Sequence, residues 1–159
     1  DRSVSRGLGD VYKRQGQDAT LDDVGIHMYG STDEGGSFYI KTNTANIDSD
    51  SIFHAGDLNW WHWLGDTPEN NADAKRMAWR EFKELDGLSV DVAMFPVDNR
   101  LEDAMEWGSI EFLRRVQVNK AFIPMHLNGP LWVPSVYFKA LFGEVPIWEP
   151  QKDGDEATF

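Results

Sequence analysis

The stretch Ile52-Phe53-His54-Ala55-Gly56-Asp57-Leu58-Asn59-Trp60-Trp61-His62-Trp63 gives the strongest indication of the fold. Its apolar start predicts a short strand, and the small pair Ala55-Gly56 ends that strand and places the Asp57 carboxylate at its C-terminal end. A second buried strand, Ala121-Phe122-Ile123-Pro124-Met125, ends at a single histidine, His126. Each motif alone also fits a turn aspartate or a structural histidine. Together they supply the carboxylate and imidazole that a divalent metal site uses.

Composition limits the classes of partner. The chain has 159 residues, 41% of them hydrophobic, which suits one domain with a sizeable core. The formal net charge of −12 disfavours nucleic acid and anionic membrane surfaces, so we expect a small-molecule partner. With no cysteine, thiolate metal sites and disulfides are excluded. We expect a cytoplasmic location in a bacterium, and a homo-oligomer remains open.

The N-terminal segment differs from the remainder of the chain. Residues 4–15, Val-Ser-Arg-Gly-Leu-Gly-Asp-Val-Tyr-Lys-Arg-Gln, are basic and aperiodic and resemble a translated library adapter from metagenomic sequencing. We therefore expect residues 1–15 to be adapter-derived or disordered and to pack against nothing. Residues 16–150 are predicted to form the domain, and residues 151–159 a flexible tail.

Strand patterns dominate the first part of the domain, and strand–helix alternation follows. Polar residues 16–25 read as a loop. A helix is predicted to begin after Thr67, because threonine is a favourable N-cap residue and Pro68 suits the first helical position. Gly87 is expected to end this helix. The predicted strands are residues 25–29, 37–41, 51–55, 90–97 and 120–125. The predicted helices are residues 67–87, 101–116 with an interruption at Gly108, and 134–142. A β-meander followed by such alternation predicts an α/β (α+β) fold with helices on one face of a sheet.

The order His54-Ala55-Gly56-Asp57, then Pro124-Met125-His126, resembles the C-terminal half of the metallo-β-lactamase superfamily, in the branch similar to ascorbate-phosphate lactonase. The resemblance covers about residues 24–135 and implies part of the family's αββα sandwich. It matches Asp57 to the carboxylate that bridges two metal ions and His126 to the last histidine ligand. We expect these two side chains to face one cleft.

The resemblance also implies cofactors and chemistry. It implies two divalent ions, zinc in the first place with manganese or iron as alternatives, and catalysis by a metal-bound hydroxide on a lactone, ester or phosphoester. The family's His-x-His-x-Asp-His cluster does not occur in the sequence, so we expect a fragment that is inactive as given. A further family histidine would fall near Ser31 and Asp33. Asp33 is either an oxygen ligand there or a simple turn residue.

Six further residues are predicted to surround the ligands or to contact substrate. His54 has a core role as its alternative, and the tryptophans after Asn59 either wall a pocket or cap the core. Arg100 either binds an anionic group or forms a salt bridge with Asp98 or Glu102. The six residues are Ser31, His54, Asn59, Trp60, His62 and Arg100.

Two other functions stay open. The Trp60–Trp63 cluster suits a non-catalytic ligand- or sugar-binding module, because large exposed aromatics signal a contact surface. Gly56-Asp57 after a strand also suits a calcineurin-like metallophosphoesterase. That family needs an early Asp-x-His and a later Gly-Asn-His run, and neither occurs in the sequence.

Overall fold

The computed structural model describes residues 15–42, 50–152 and 154–159 and has a mixed α/β fold. The strands are β1 Gln17–Leu21, β2 Val24–Tyr29, β3 Ser37–Thr42, β4 Ser51–His54, β5 Ser89–Pro96 and β6 Gln117–Met125. The helices are α1 Pro68–Lys83, a 3₁₀ helix Asn99–Ala104, α2 Trp107–Leu113 and α3 Val136–Phe142. None of the helices in the described residues has the length and apolar character needed to span a membrane.

The six strands form one sheet in the order β1-β2-β3-β4-β5-β6. Strands β1 to β4 pair antiparallel as a meander, whereas β4, β5 and β6 pair parallel. The parallel pairs need crossover connections, which α1 and α2 supply. The carboxyl ends of β4, β5 and β6 therefore meet at one edge of the sheet.

The core lies on the sheet face that the helices cover. Phe112 of α2 stacks on Phe95 of β5 and on Phe53 of β4, with ring centroids 4.6 and 5.2 Å apart. Phe82 of α1 contacts the same Phe95, and Phe138 of α3 contacts Phe122 of β6. All six phenylalanines are fully buried. The contacts place all three α-helices on one face, as the sequence pattern predicts.

The opposite face of the sheet carries a row of apolar side chains. Ile26, Ile40, Ile52 and Val92 are register partners on four neighbouring strands. Ile52 is 39% exposed, and the other three are half-buried. This face is therefore apolar but only partly covered by the described residues.

Helix α1 begins as its sequence predicts. The Thr67 hydroxyl accepts a hydrogen bond from the Asn70 backbone N–H at 3.1 Å, and Pro68 occupies the first turn, where its missing N–H costs nothing. The regular helix ends at Lys83. Gly87 lies beyond that end, with φ of 82°, and its N–H bonds the Arg115 carbonyl at 3.1 Å. The glycine thus closes the turn after the helix rather than the helix itself.

Residues 17–21 form a strand, and the prediction of a loop there is wrong. The segment is polar because β1 is the edge strand of the sheet and most of its side chains are exposed. It pairs with β2 through a tight turn in which Asp22 has a positive φ of 50°. Aspartate tolerates that conformation better than most residues.

The predicted helix over residues 101–116 divides earlier than expected. A 3₁₀ helix ends at Ala104, and Gly108 lies inside α2 rather than at the interruption. The glycine serves packing, because a Cβ at Gly108 would collide with the Asn59 side-chain oxygen. Four apolar residues in the second half of this segment, Ile110, Phe112, Leu113 and Val116, are all buried.

The two ends of the chain are described only in part. The prediction for residues 1–15 lies outside the described residues except at Gln15, whose amide donates to Glu81 Oε2 at 2.8 Å. At the other end, residues 151, 152 and 154–159 lie outside helices and strands. The Phe159 ring nevertheless contacts the Trp148 ring, with centroids 6.1 Å apart.

Candidate functional site

Three ionisable residues follow the three parallel strands at the same sheet edge. Asp57 follows β4, Asp98 follows β5 and His126 follows β6. The parallel pairing continues past the strand ends, where the Ala55 N–H bonds the Met94 carbonyl and the Val97 N–H bonds the Met125 carbonyl, both at 2.9 Å. These bonds fix the loops that carry the three side chains.

Asp57 and His126 lie close together, but of the two only His126 is among the residues that line the cleft described below. His126 Nε2 lies 3.9 Å from Asp57 Oδ1, and both side chains are about one third exposed. The turn before Asp57 depends on Gly56, which has φ of 55° and lies against the Gly36 carbonyl. The pair is therefore open to a ligand and held by a tight backbone contact.

Asp98 lies behind the pair and is fully buried. Its Oδ2 lies 2.9 Å from His126 Nδ1 and accepts from Arg100 Nη2 at 2.6 Å and from Asn128 Nδ2 at 3.1 Å. Burial alone would raise the pKa of Asp98. The hydrogen bonds from the Arg100 side chain, the Arg100 backbone and His126 outweigh burial and lower that pKa to about 2. Asp98 is therefore a fixed negative charge at neutral pH.

A cleft of about 360 Å³ opens beside His126. Trp61 and Trp63 form part of its wall. Their ring centroids are 6.3 Å apart, and the rings are nearly parallel, with an interplanar angle of 10°. The Trp61 Nε1–H bonds the Asp57 carbonyl at 3.0 Å, and its ring lies 5.5 Å from the His126 ring. The Arg100 guanidinium covers the Trp63 ring at 5.5 Å. The lining residues are Thr32, Asp33, Trp61, Trp63, Asp66, Asn70, Ala74, Arg100 and His126.

The turn that contains Ser31 and Asp33 borders this cleft. Thr32 attaches the turn to the Asp57 loop, since its hydroxyl bonds the Asn59 carbonyl at 2.7 Å and accepts from the Asn59 N–H at 2.9 Å. Asp33 is exposed and lines the cleft, and the Ser31 hydroxyl accepts from its N–H at 3.4 Å. Across residues 15–42, 50–152 and 154–159, no three His, Asp or Glu side chains converge as a metal-binding group. Asp33 therefore does not complete a three-ligand set with Asp57 and His126.

The side chains of the tryptophan-rich loop, residues 60–63, lie on two different sides of the loop. Trp61 and Trp63 line the cleft, whereas Trp60 and His62 pack against Trp107, with ring centroids 5.0 and 4.6 Å away. Trp60 and His62, both predicted to surround the ligands or to contact substrate, are not among the residues that line the cleft. They border a separate hollow of about 470 Å³, together with Lys75.

Asn59 and His54 have structural contacts. Asn59 is fully buried, its side-chain oxygen accepts from the Trp60 N–H at 2.9 Å, and it fills the space beside Gly108. His54 Nδ1 accepts from the Gly56 N–H at 3.0 Å, which stabilises the turn before Asp57. His54 is half-buried and holds the turn that carries Asp57, so its two alternatives, a role around the ligands and a core role, stay open. Asn59 packs against Gly108 and does not line the cleft.

Arg100 forms a salt bridge with Asp98, which was one of its predicted roles. Its guanidinium bonds both oxygens of Asp98, while half of the side chain stays exposed at the cleft. Asp98 was predicted only as this partner, and its contact with His126 was not predicted. A signal was present, because Pro96-Val97-Asp98 places a carboxylate at the end of a buried strand just as Ala55-Gly56-Asp57 does.

A scan against protein-family models found no match for the chain, and a search of the curated proteins found none. The assignment of the site therefore depends on the geometry of its residues.

Proposed function

We propose that this chain carries the aspartate–histidine side of a divalent-metal site in a hydrolase that acts on a lactone, ester or phosphoester. The observation that carries the proposal is the Asp57–His126 pair, 3.9 Å apart at the ends of neighbouring parallel strands. Ligands of open α/β sheets bind at the carboxyl ends of strands.

The donor set fits a divalent ion in part. An imidazole nitrogen and a carboxylate oxygen suit zinc, and also manganese or iron. The buried carboxylate of Asp98 lies beside the other ring nitrogen of His126, Nδ1, an arrangement typical of metal-binding histidines. A catalytic zinc takes about three protein ligands, and within the described part of the chain no group of three is present. We therefore propose half of a site, with the remaining ligands supplied outside the described residues.

The residues in and beside the cleft would then have different roles. A bound divalent ion would lower the pKa of a water molecule and polarise the scissile group. Asp57 offers a carboxylate able to bridge two ions, and His126 offers a neutral imidazole at Nε2. Trp61 and Trp63 provide an apolar wall for a small molecule, and the exposed half of Arg100 can meet an anionic substituent.

The partly covered sheet face is consistent with part of an αββα sandwich. The row of Ile26, Ile40, Ile52 and Val92 is apolar, as a sheet face is that packs against a second layer. We propose the partial metallo-β-lactamase architecture on this ground and on the order of the two motifs.

Zinc titration by calorimetry, combined with a hydrolysis screen on lactones and phosphodiesters, tests the proposal. We expect micromolar or weaker zinc binding that Asp57→Asn and His126→Gln each abolish, and no turnover above a metal-free control. Asp103→Asn, which removes an exposed carboxylate elsewhere, should bind zinc as the wild type does. Equal zinc binding by the wild type and both site variants would refute the site. Sub-micromolar zinc affinity with turnover lost in Asp57→Ala would show that the described residues suffice for activity.

A second candidate is a ligand-binding module without catalysis. The nearly parallel Trp61 and Trp63 rings favour it, because aromatic faces stack on the apolar faces of sugar rings. This candidate predicts sugar binding that persists in a metal chelator and disappears in Trp61→Ala. The metal-site proposal predicts no such binding, so calorimetric titration in chelator separates the two.

A further inference from the structure

One buried carboxylate behind the cleft contacts two of the side chains that line it. Asp98 Oδ1 accepts from the Arg100 backbone N–H at 2.9 Å and from Arg100 Nε at 3.0 Å. Its Oδ2 faces His126 Nδ1 and Asn128 Nδ2 at 2.9 and 3.1 Å. Asp98 is fully buried, so ligand cannot reach it directly, and its influence must pass through the residues that it holds.

The contact fixes which nitrogen of His126 carries the proton. An ionised carboxylate only accepts hydrogen bonds, so Nδ1, 2.9 Å away, must be the N–H side of a neutral ring. Asn128 Nδ2 also lies 3.0 Å from Nδ1, but its two hydrogens have acceptors in Asp98 Oδ2 and the His126 carbonyl. The opposite tautomer would set two lone pairs against each other. The lone pair therefore belongs to Nε2, on the side of Asp57.

The backbone around His126 is arranged to make this contact. His126 and Asn128 both have positive φ, 60° and 48°, although neither is glycine. Such conformations persist where surrounding contacts over-determine them. Asn99 supplies such contacts to the segment between these two residues. Its backbone N–H and its side-chain amide both donate to the Leu127 carbonyl, at 2.9 and 2.7 Å.

We propose that Asp98 is the positioning residue of the site, which holds His126 in the Nδ1–H tautomer with Nε2 free for a ligand and holds Arg100 over Trp63 as a cleft wall. Asp98 contacts neither metal nor substrate and acts through these two side chains. The consequence for metal affinity rests on the proposed function. The tautomer of His126 does not, and it can be read without metal.

Long-range ¹H–¹⁵N correlation spectra of the metal-free chain, above the pH at which imidazole is protonated, report the tautomer. His126→Gln assigns the signal among the four histidines. We expect the Nδ1–H form in the wild type and its loss in Asp98→Leu, which removes the acceptor. Asp98→Asn keeps an acceptor oxygen and should retain the form in part. Asp66→Asn is the matched control: Asp66 lines the same cleft but bonds Asn70 and Thr67, so its loss should leave the tautomer unchanged.

The Asp98 variants are then titrated with zinc. We expect zinc affinity to fall roughly 10- to 100-fold in Asp98→Leu, by less in Asp98→Asn, and not in Asp103→Asn, which removes an exposed carboxylate that does not line the cleft. An Nε2–H tautomer in the wild type would overturn the proposal, even if Asp98→Leu failed to fold. So would an unchanged tautomer in a folded Asp98→Leu. If the wild type bound no zinc, the proposed function would fail, while the spectra would still decide the role of Asp98.

Discussion

His126 Nδ1 lies 2.9 Å from a carboxylate oxygen of Asp98, and Asp98 is fully buried. The two residues are 28 positions apart and meet because β5 and β6 are parallel neighbours whose ends coincide. Asp98 therefore places a fixed negative charge behind His126. Among the described residues that line the cleft, His126 is the only histidine.

The ionisation of Asp98 should make the free energy of unfolding depend on pH in the acidic range. Its folded-state pKa is lowered from the ordinary 3.8 to about 2, so its contribution is complete above the unfolded-state pKa and disappears as pH falls through the folded-state pKa. The shift corresponds to about 2 kcal/mol. We expect Asp98→Asn to lower the free energy of unfolding by about that amount at pH 7, and by less as the pH falls from about 4 to about 2. Urea unfolding across this range measures the difference.

Asp103→Asn provides the control for acid stability. Asp103 is exposed, so its replacement should change the free energy of unfolding by less than about 0.5 kcal/mol at either end of the pH range. A constant difference between the wild type and Asp98→Asn at all pH values would contradict the prediction.

The proximity of Asp57 and His126 was expected from the order of the two motifs, through the family resemblance. In the structure the two residues follow parallel strands whose carboxyl ends meet at one sheet edge. The contact between Asp98 and His126 was not predicted, because spacing along the chain does not tell which strand-end carboxylate lies behind the histidine. The tryptophan loop shows a similar limit. Trp61 and Trp63 reach the cleft while Trp60 and His62 do not, and only the path of the loop decides between the two sides.

The fold was predictable where burial dictates the pattern. Strands β5 and β6 and the inward residues of α2 follow from continuous or periodic apolar residues. Edge strand β1 was missed because neither of its faces is well buried, so its sequence carries no alternation. The break before α2 was misplaced because glycine is both a helix breaker and a packing residue, and at Gly108 packing against Asn59 decides.

Gly56→Ala should destabilise the loop that carries Asp57. Gly56 has φ of 55°, and a Cβ there would lie 2.5 Å from the Gly36 carbonyl oxygen, which is backbone and cannot rotate away. Backbone strain of this kind costs about 1–3 kcal/mol. We expect the free energy of unfolding to fall by at least about 2 kcal/mol, measured by urea unfolding.

Gly65→Ala is the matched substitution. No atom lies within 4 Å of a Cβ at Gly65, and the residue is exposed. Its effect should stay within about 0.5 kcal/mol. Equal stability losses at Gly56 and Gly65 would mean that the turn before Asp57 is not constrained as described.

Phe112→Ala should remove the centre of the core. Phe112 is fully buried and its ring contacts Phe53, Phe95 and Phe122. Loss of a buried phenylalanine side chain costs about 3–5 kcal/mol, through lost burial and the cavity left behind. Leu64→Ala, at a residue that is 47% exposed, should cost under about 1 kcal/mol. Thermal unfolding of the two variants checks the contrast, and similar melting temperatures would contradict the assignment of the core.

Glu106→Gln should loosen the segment that leads from His126 to α3. Glu106 is buried, and its Oε1 accepts from the Trp132 Nε1–H at 2.9 Å and the Ser135 N–H at 2.8 Å, while Oε2 accepts from the Ser135 hydroxyl at 2.5 Å. Glutamine keeps one oxygen but presents an NH₂ group where the carboxylate accepted a bond, so at least one donor loses its partner. Hydrogen bonds to a charged group contribute about 1.5–3 kcal/mol each. We therefore expect a loss of about 2 kcal/mol in the free energy of unfolding, together with a red shift of Trp132 fluorescence as its ring gains water. Ser135→Ala leaves the Trp132 bond intact, so it should destabilise the chain without that red shift. A Glu106→Gln chain with wild-type stability and emission would show that the carboxylate does not hold this segment.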